Sequence, residues 1–152
     1  MDREDSIGYA KKYLEDTLSF FGLNIDVKAS ADEDVIELKV PSTHLNGFLI
    51  GHNGDTLRSL QFLVSTTLRN HDAQLHRINI DIADYKAQRA DRLVHKIKEV
   101  LDSVRENGQP HSLEPMNAAD RRVVHQAVSE YPDLQTVSEG EGRDRHIVIS
   151  KK

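Results

Sequence analysis

At 152 residues, 38% of them hydrophobic and none of them cysteine, the chain can bury one ordinary core or two small ones, and it carries no disulfide, thiol nucleophile or thiolate metal site. No apolar run is long enough to span a bilayer, and the charged start Met1-Asp-Arg-Glu-Asp5 lacks the apolar stretch of a signal peptide, so a soluble cytoplasmic protein is the expectation. A net charge of −5 argues against a uniformly basic surface, but residues 1–40 hold ten acidic and five basic side chains and account for all of it, whereas 51–98 hold eight Lys or Arg against five Asp or Glu.

Apolar residues at Ile7, Ala10, Leu14, Leu18 and Phe21 recur with a helical period, and Gly22 is a stop. Leu23, Ile25 and Val27 alternate as a strand, Ser30 to Asp34 reads as a polar turn, and Val35, Ile36, Leu38 and Val40 form a second strand. Leu45 to Ile50 suggests a short helix. The segment Gly51-His-Asn-Gly54 interrupts it, and Leu57, Leu60, Val64 and Leu68 resume the helical period to Asn70. His76 to Ala83 alternates as a third strand, and Asp84 is placed to cap a long helix with the stripe Ala90, Leu93, Val94, Ile97, Leu101 and Val104. After Asn107-Gly-Gln-Pro110 come a short strand at 111–113, a helix over 117–131 ended by Pro132, and strands at 134–137 and 146–149. Two small α/β modules joined near 106–112 fit this order.

Glycine has no Cβ, so a Gly-x-x-Gly between two helices lets backbone approach a ligand, and the N–H groups opening the second helix can face a phosphate. Arg58 lies one turn further on as an auxiliary cation. His52 and Asn53 are not basic, so backbone and amide must supply more of any contact; Asp55 adds a negative charge but is placed to satisfy helix N–H groups. In the second half Arg121 and His125 are four apart and share a helix face, where an arginine fork and an imidazole can meet one phosphate or base edge at a solvent-facing border. Arg122 is placed to assist, and Arg143 and Arg145 approach from the loop before the last strand unless Glu139, Glu141 and Asp144 pair with them. Lys86, Arg89, Arg92 and Lys96 extend a basic helix face or form an ordinary solvated one.

The string Leu49-Ile-Gly-His-Asn-Gly-Asp-Thr-Leu-Arg-Ser-Leu-Gln-Phe-Leu-Val64 resembles the K-homology module of the Jag (SpoIIIJ-associated, KhpB-like) family of bacterial RNA-binding proteins, with Asp81 to Arg89 similar to its third strand and following helix. Met116-Asn-Ala-Ala-Asp-Arg-Arg-Val-Val-His125 resembles the family's Arg-x-x-x-His (R3H) domain, and 138–149 its closing segment. The likeness spans roughly residues 8–150, without the N-terminal Jag domain of some relatives. It implies an α/β (α+β) chain: a helix-first type II K-homology domain over 1–107, with N-terminal helix and long C-terminal linking helix, then a small α/β R3H domain over 112–152. It further implies noncatalytic binding of single-stranded RNA, with single-stranded DNA as a second ligand. The nucleic-acid-binding residues are then Gly51, His52, Asn53, Gly54, Arg58, Arg121, Arg122, His125, Arg143 and Arg145. A small K-homology partner protein, roles in small-RNA regulation and in cell elongation or division, and a chaperone role come with the same resemblance.

Two other functions are weighed beside it. A protein-interaction adaptor would keep the loop's shape with a weak or vestigial nucleic-acid site. A metal-dependent enzyme would use His71, Asp72 and His76, although no zinc spacing, Walker A or dinucleotide fingerprint is present. The sequence calls for no cofactor, no catalytic residue and no membrane insertion, and it leaves homo-oligomerisation open.

Overall fold

The N-terminal helix starts where the sequence supplies a cap: the Asp2 side chain accepts from the Asp5 N–H at 2.8 Å, and Glu4 and Asp5 sit in the positive first turn. The computed structural model describes residues 1–152 and gives helix α1 as Arg3–Ser19. Its apolar face buries Ala10, Leu14 and Leu18. Ser6, also fully buried, donates its hydroxyl to the Asp2 carbonyl at 2.6 Å and accepts from the Leu75 N–H at 3.4 Å, tying the helix to the chain that enters the third strand.

Strand β1 is Lys28–Asp32 and not the alternating Leu23–Val27 stretch. Leu23 and Val27 are buried, so their alternation reports anchoring to the core, while their backbone pairs with no strand. The expected polar turn is shorter than its composition suggests: Ser30 to Asp32 belong to β1, and the chain reverses at Glu33, φ 52°, and Asp34. Strand β2, Val35–Val40, runs antiparallel to β1 and parallel to β3, Arg77–Ile82, giving the order β1-β2-β3. The pairs Ile36/Ile78, Leu38/Ile80 and Val40/Ile82 put branched side chains on one face, under α1 and under Leu57, Leu60, Val64 and Leu68 of α3. Between β2 and β3 lie α2, Asn46–Ile50, a 3-10 turn His52–Gly54, and α3, Asp55–Asn70.

Helix α4, Tyr85–Asn107, crosses the division between two compact units, Met1–Lys86 and Ala87–Lys152. The sequence assigns this helix to the first module. Its buried side chains Ile97, Leu101 and Val104 instead share a core with Val124, Val128, Leu134, Ile147 and Ile149. Apolar periodicity shows that a helix buries a face, but not which core receives it. The second unit adds β4 (His111–Ser112), α5 (Ala118–Ser129), β5 (Leu134–Glu139) and β6 (His146–Lys151), with antiparallel order β4-β6-β5. Both units are of the α+β class. No helix is long and apolar enough to cross a membrane.

Leu14 is fully buried in the first core, so Leu14→Ala is expected to lower stability by about 2–5 kcal/mol. Urea unfolding of the full chain measures it, and a loss under about 1 kcal/mol would mean that the core collapses around the void.

Candidate nucleic-acid interface

The loop is built by local hydrogen bonds and by two glycines. Asn46 accepts from the Thr43 N–H and donates to Ser42 Oγ, both at 2.8 Å, which fixes the entry to α2. That helix stops at Gly51, φ 73°, where a Cβ would sit 2.8 Å from the Thr56 nitrogen. At Gly54, φ 80°, a Cβ would lie 3.2 Å from Arg58 Nη1 and 3.3 Å from Tyr85 Cε1. At Gly51 backbone blocks any Cβ, so only glycine fits; at Gly54 the positive φ disfavours a side chain, and Arg58 and Tyr85 would have to give way to one. Between them His52 and Asn53 are exposed, with Asn53 left-handed at φ 53° and its amide 3.2 Å from His52 Nε2.

Helix α3 therefore opens at Gly54 with no side chain capping its first N–H groups. Asp55, placed by its sequence position to satisfy them, pairs instead with the Arg58 guanidinium. Arg58 also donates to the Asn53 carbonyl at 2.9 Å. The arginine thus clamps the loop's backbone, and its charge is offset by Asp55. The Asp55 N–H donates to the His52 carbonyl and the Gly54 N–H to the Gly51 carbonyl at 3.4 Å, so the turn offers the exposed tips of His52 and Asn53 and the N–H groups that follow at the head of α3.

Beside the loop, Gln61 and Tyr85 have no motif to announce them, and Lys86 is expected only as part of a basic helix face. Tyr85 lies against Gly54, and Lys86 Nζ donates to Gln61 Oε1 at 2.7 Å and to Asn79 Oδ1. Burial pushes the Lys86 ammonium below its usual pKa range; Asp81 and Glu37 hold it up, and Arg58 adds to the fall. Lys86 N–H donates to Asp81 Oδ1 at 3.4 Å, so the capping role assigned to Asp84 falls to Asp81. Asp84 itself is left-handed, φ 58°.

In the second unit α5 starts at the cap Asn117, whose Oδ1 accepts from the Asp120 N–H at 2.9 Å. Arg121 and His125 are half-buried, partly open to solvent and engaged within the protein. Arg121 donates Nη1 to the Met116 carbonyl at 2.5 Å. His125 meets Thr136 Oγ1 through Nδ1 and Ser138 Oγ through Nε2, the latter at 3.0 Å. Both hydroxyls share the face of β5 that carries buried Leu134, so the side of α5 holding the pair looks onto the sheet. Arg122 and Arg143 are exposed and have no protein partner. Arg145 donates to the Gly140 carbonyl at 2.8 Å, and no ion pair joins Arg143 or Arg145 to Glu139, Glu141 or Asp144. Arg89, read as part of a basic face, forks onto Asp120 with Nε to Oδ1 at 2.9 Å and Nη2 to Oδ2 at 2.6 Å.

No group of three or more His, Asp or Glu is assembled to hold a metal ion. His71 lies 3.4 Å from the Tyr9 hydroxyl, and His76 accepts from Arg69 Nε at 3.3 Å.

The R3H domain profile matches residues 91–151, beginning inside α4 as the second core does. The chain is 32% identical to the RNA-binding protein KhpB of Clostridium symbiosum over 94% of its own length and 65% of that protein's. It is 28% identical to RNA-binding protein KhpB of Bacillus subtilis (strain 168), over 100% and 74% of the two chains. The chain is thus similar to KhpB proteins over nearly its whole length. A third KhpB, from Streptococcus pneumoniae serotype 2, is 28% identical over 83% of this chain and 39% of its own, so the share of a KhpB protein that this chain spans runs from about two fifths to three quarters. The R3H match covers the part of the chain that holds Arg121 and His125, and the Gly-x-x-Gly loop precedes it.

The Arg89–Asp120 fork is nearly enclosed, with the two side chains 29% and 10% exposed. Asp120→Asn is expected to destabilise the second unit by on the order of 2 kcal/mol, because it leaves the guanidinium half-buried without its anion. Thermal unfolding measures this.

Proposed function

We propose that the first unit is a K-homology domain of the helix-first, type II arrangement and that the chain is a noncatalytic single-stranded RNA-binding protein. The observation that carries this is the Gly51–Gly54 turn: a helix start with no side-chain cap, two glycines at positive φ with no room for a Cβ at Gly51, and two exposed polar side chains between them. Such a turn receives a phosphate on backbone N–H groups and leaves the bases to be read beside it. In the second unit the exposed, unpartnered Arg122 and Arg143 are the phosphate-directed cations. Arg121, His125 and Arg145 act through their intramolecular bonds, shaping α5 and the loop before β6. The similar proteins named KhpB are RNA-binding by name, which supports the same reading.

Single-stranded DNA offers the same phosphates and is the second ligand. Small-RNA regulation, control of cell elongation or division, and a small K-homology partner belong to this proposal through the family alone. The adaptor reading keeps one observation of its own: Phe20, Phe21 and Phe48 are exposed, with the Phe21 and Phe48 rings in edge contact at 5.2 Å.

His52→Asp combined with Asn53→Asp adds negative charge at exposed positions without touching the glycines. It is expected to weaken binding of an unstructured RNA oligomer roughly tenfold or more, read by fluorescence anisotropy; unchanged affinity would remove the loop from the interface. Arg122→Ala and Arg143→Ala should each flatten the plot of log affinity against log salt by about 0.7 for every phosphate that the arginine neutralises. Slopes equal to that of the unmodified chain would place both arginines outside the RNA interface.

A further inference from the structure

The turn from β3 into α4 passes through Ala83 and Asp84, both left-handed, with φ 53° and 58°. Non-glycine residues are disfavoured there, and such strain persists where the surroundings hold it in place. Its result is specific: Tyr85 is set against Gly54, and Lys86 Nζ is brought to Gln61 on α3 and Asn79 on β3.

The hydrogen-bond inventory of this cluster is one-sided. Gln61 Oε1 accepts from the Ile80 backbone N–H at 2.9 Å and from Lys86 Nζ at 2.7 Å. Both partners can only donate, which fixes the orientation of the amide and turns its Nε2, with two N–H bonds and no protein partner, away from them. Asn79 takes a second ammonium proton on Oδ1 and gives its own Nδ2 proton to Glu37 at 2.6 Å. The third ammonium proton of Lys86 remains. Asp81 and Glu37 act on that ammonium electrostatically, but neither comes within 4.0 Å as an ion pair. The Gln61 and Lys86 side of the cluster therefore has donors to offer and no acceptor. It adjoins the loop, since Tyr85 touches Gly54 and the Arg58 charge is felt at Lys86.

We infer that Gln61 and Lys86 form a nucleobase-reading position beside the Gly51–Gly54 loop, selective for a base that presents two adjacent acceptors. Guanine does so at O6 and N7, and cytosine at O2 and N3; in uracil N3–H lies between the two carbonyl oxygens, and in adenine the 6-amino group lies between N1 and N7 and a C–H between N1 and N3. In a single strand all of these edges are open. The inference rests on the RNA-binding reading above and adds its base preference.

The test uses the full chain and fluorescence anisotropy with an octamer of uridine and the same octamer carrying one central guanosine, cytidine or adenosine. The guanosine and cytidine probes are expected to bind on the order of fivefold more tightly than the other two. Replacing the guanosine by 7-deazaguanosine, which lacks N7, should erase its advantage. Gln61→Glu keeps an oxygen for Ile80 and Lys86 but exchanges the free donors for an acceptor, so it should abolish the ranking with the fold intact; Lys86→Met should do the same. Equal binding of all four probes overturns the inference and leaves the RNA-binding reading standing. A ranking that survives both variants overturns the assignment to Gln61 and Lys86. Failure of every probe to bind overturns the RNA-binding reading and this inference with it.

Discussion

The parallel pairing of β2 and β3 is the constraint from which the candidate site follows. Two parallel neighbours cannot be joined by a hairpin, so the chain must return along the sheet before β3 can begin. Here the return is α2, the glycine turn and α3. Leu57, Leu60, Val64 and Leu68 fasten α3 to Ile36, Leu38, Ile80 and Ile82, which fixes the direction in which its first N–H groups point. The turn is held at the other end by the Asn46 hydrogen bonds and across its middle by Arg58. A flexible loop would lose entropy on binding, whereas this one is organised by covalent geometry and its own side chains before any ligand arrives.

The second unit reaches organisation by a different route. Asp120 takes both the Arg89 fork and a place in the capped first turn of α5, so one carboxylate couples the start of α4 to the start of α5. His125 and Arg121 then tie α5 to β5 and to the segment before the helix. Side chains that a motif would send toward a ligand are used here to hold the scaffold, and the cations left in solvent are their neighbours Arg122 and Arg143.

The patterns carried by single elements were legible: the period of α3, the alternation of β3, the place of α5, and the glycine pair between helices. Features that depend on two distant segments were not. Leu23 to Val27 alternates as a paired strand would, yet its partner is the core, and nothing local separates the two cases. The α4 stripe predicts a buried face and is silent on which unit receives it. Arg121 and His125 were placed on one face correctly by their spacing, but the depth of that face depends on Thr136 and Ser138, 11 and 13 residues beyond the histidine. Gln61 and Tyr85 carried no signal of their own and Lys86 was read only as part of a basic helix face, because their roles arise from contacts across α3, β3 and the start of α4.

The amide of Gln61 has a consequence for how this protein keeps itself to itself. Strand β3 has a neighbour on one side only, so its other side is an open sheet edge, the kind of surface onto which a strand of another chain can add. Gln61 occupies the Ile80 N–H on that side, and Lys86 secures Gln61 in turn. A foreign strand would have to displace a bonded amide and an ammonium before it could pair there, which makes this edge a poor template for aggregation.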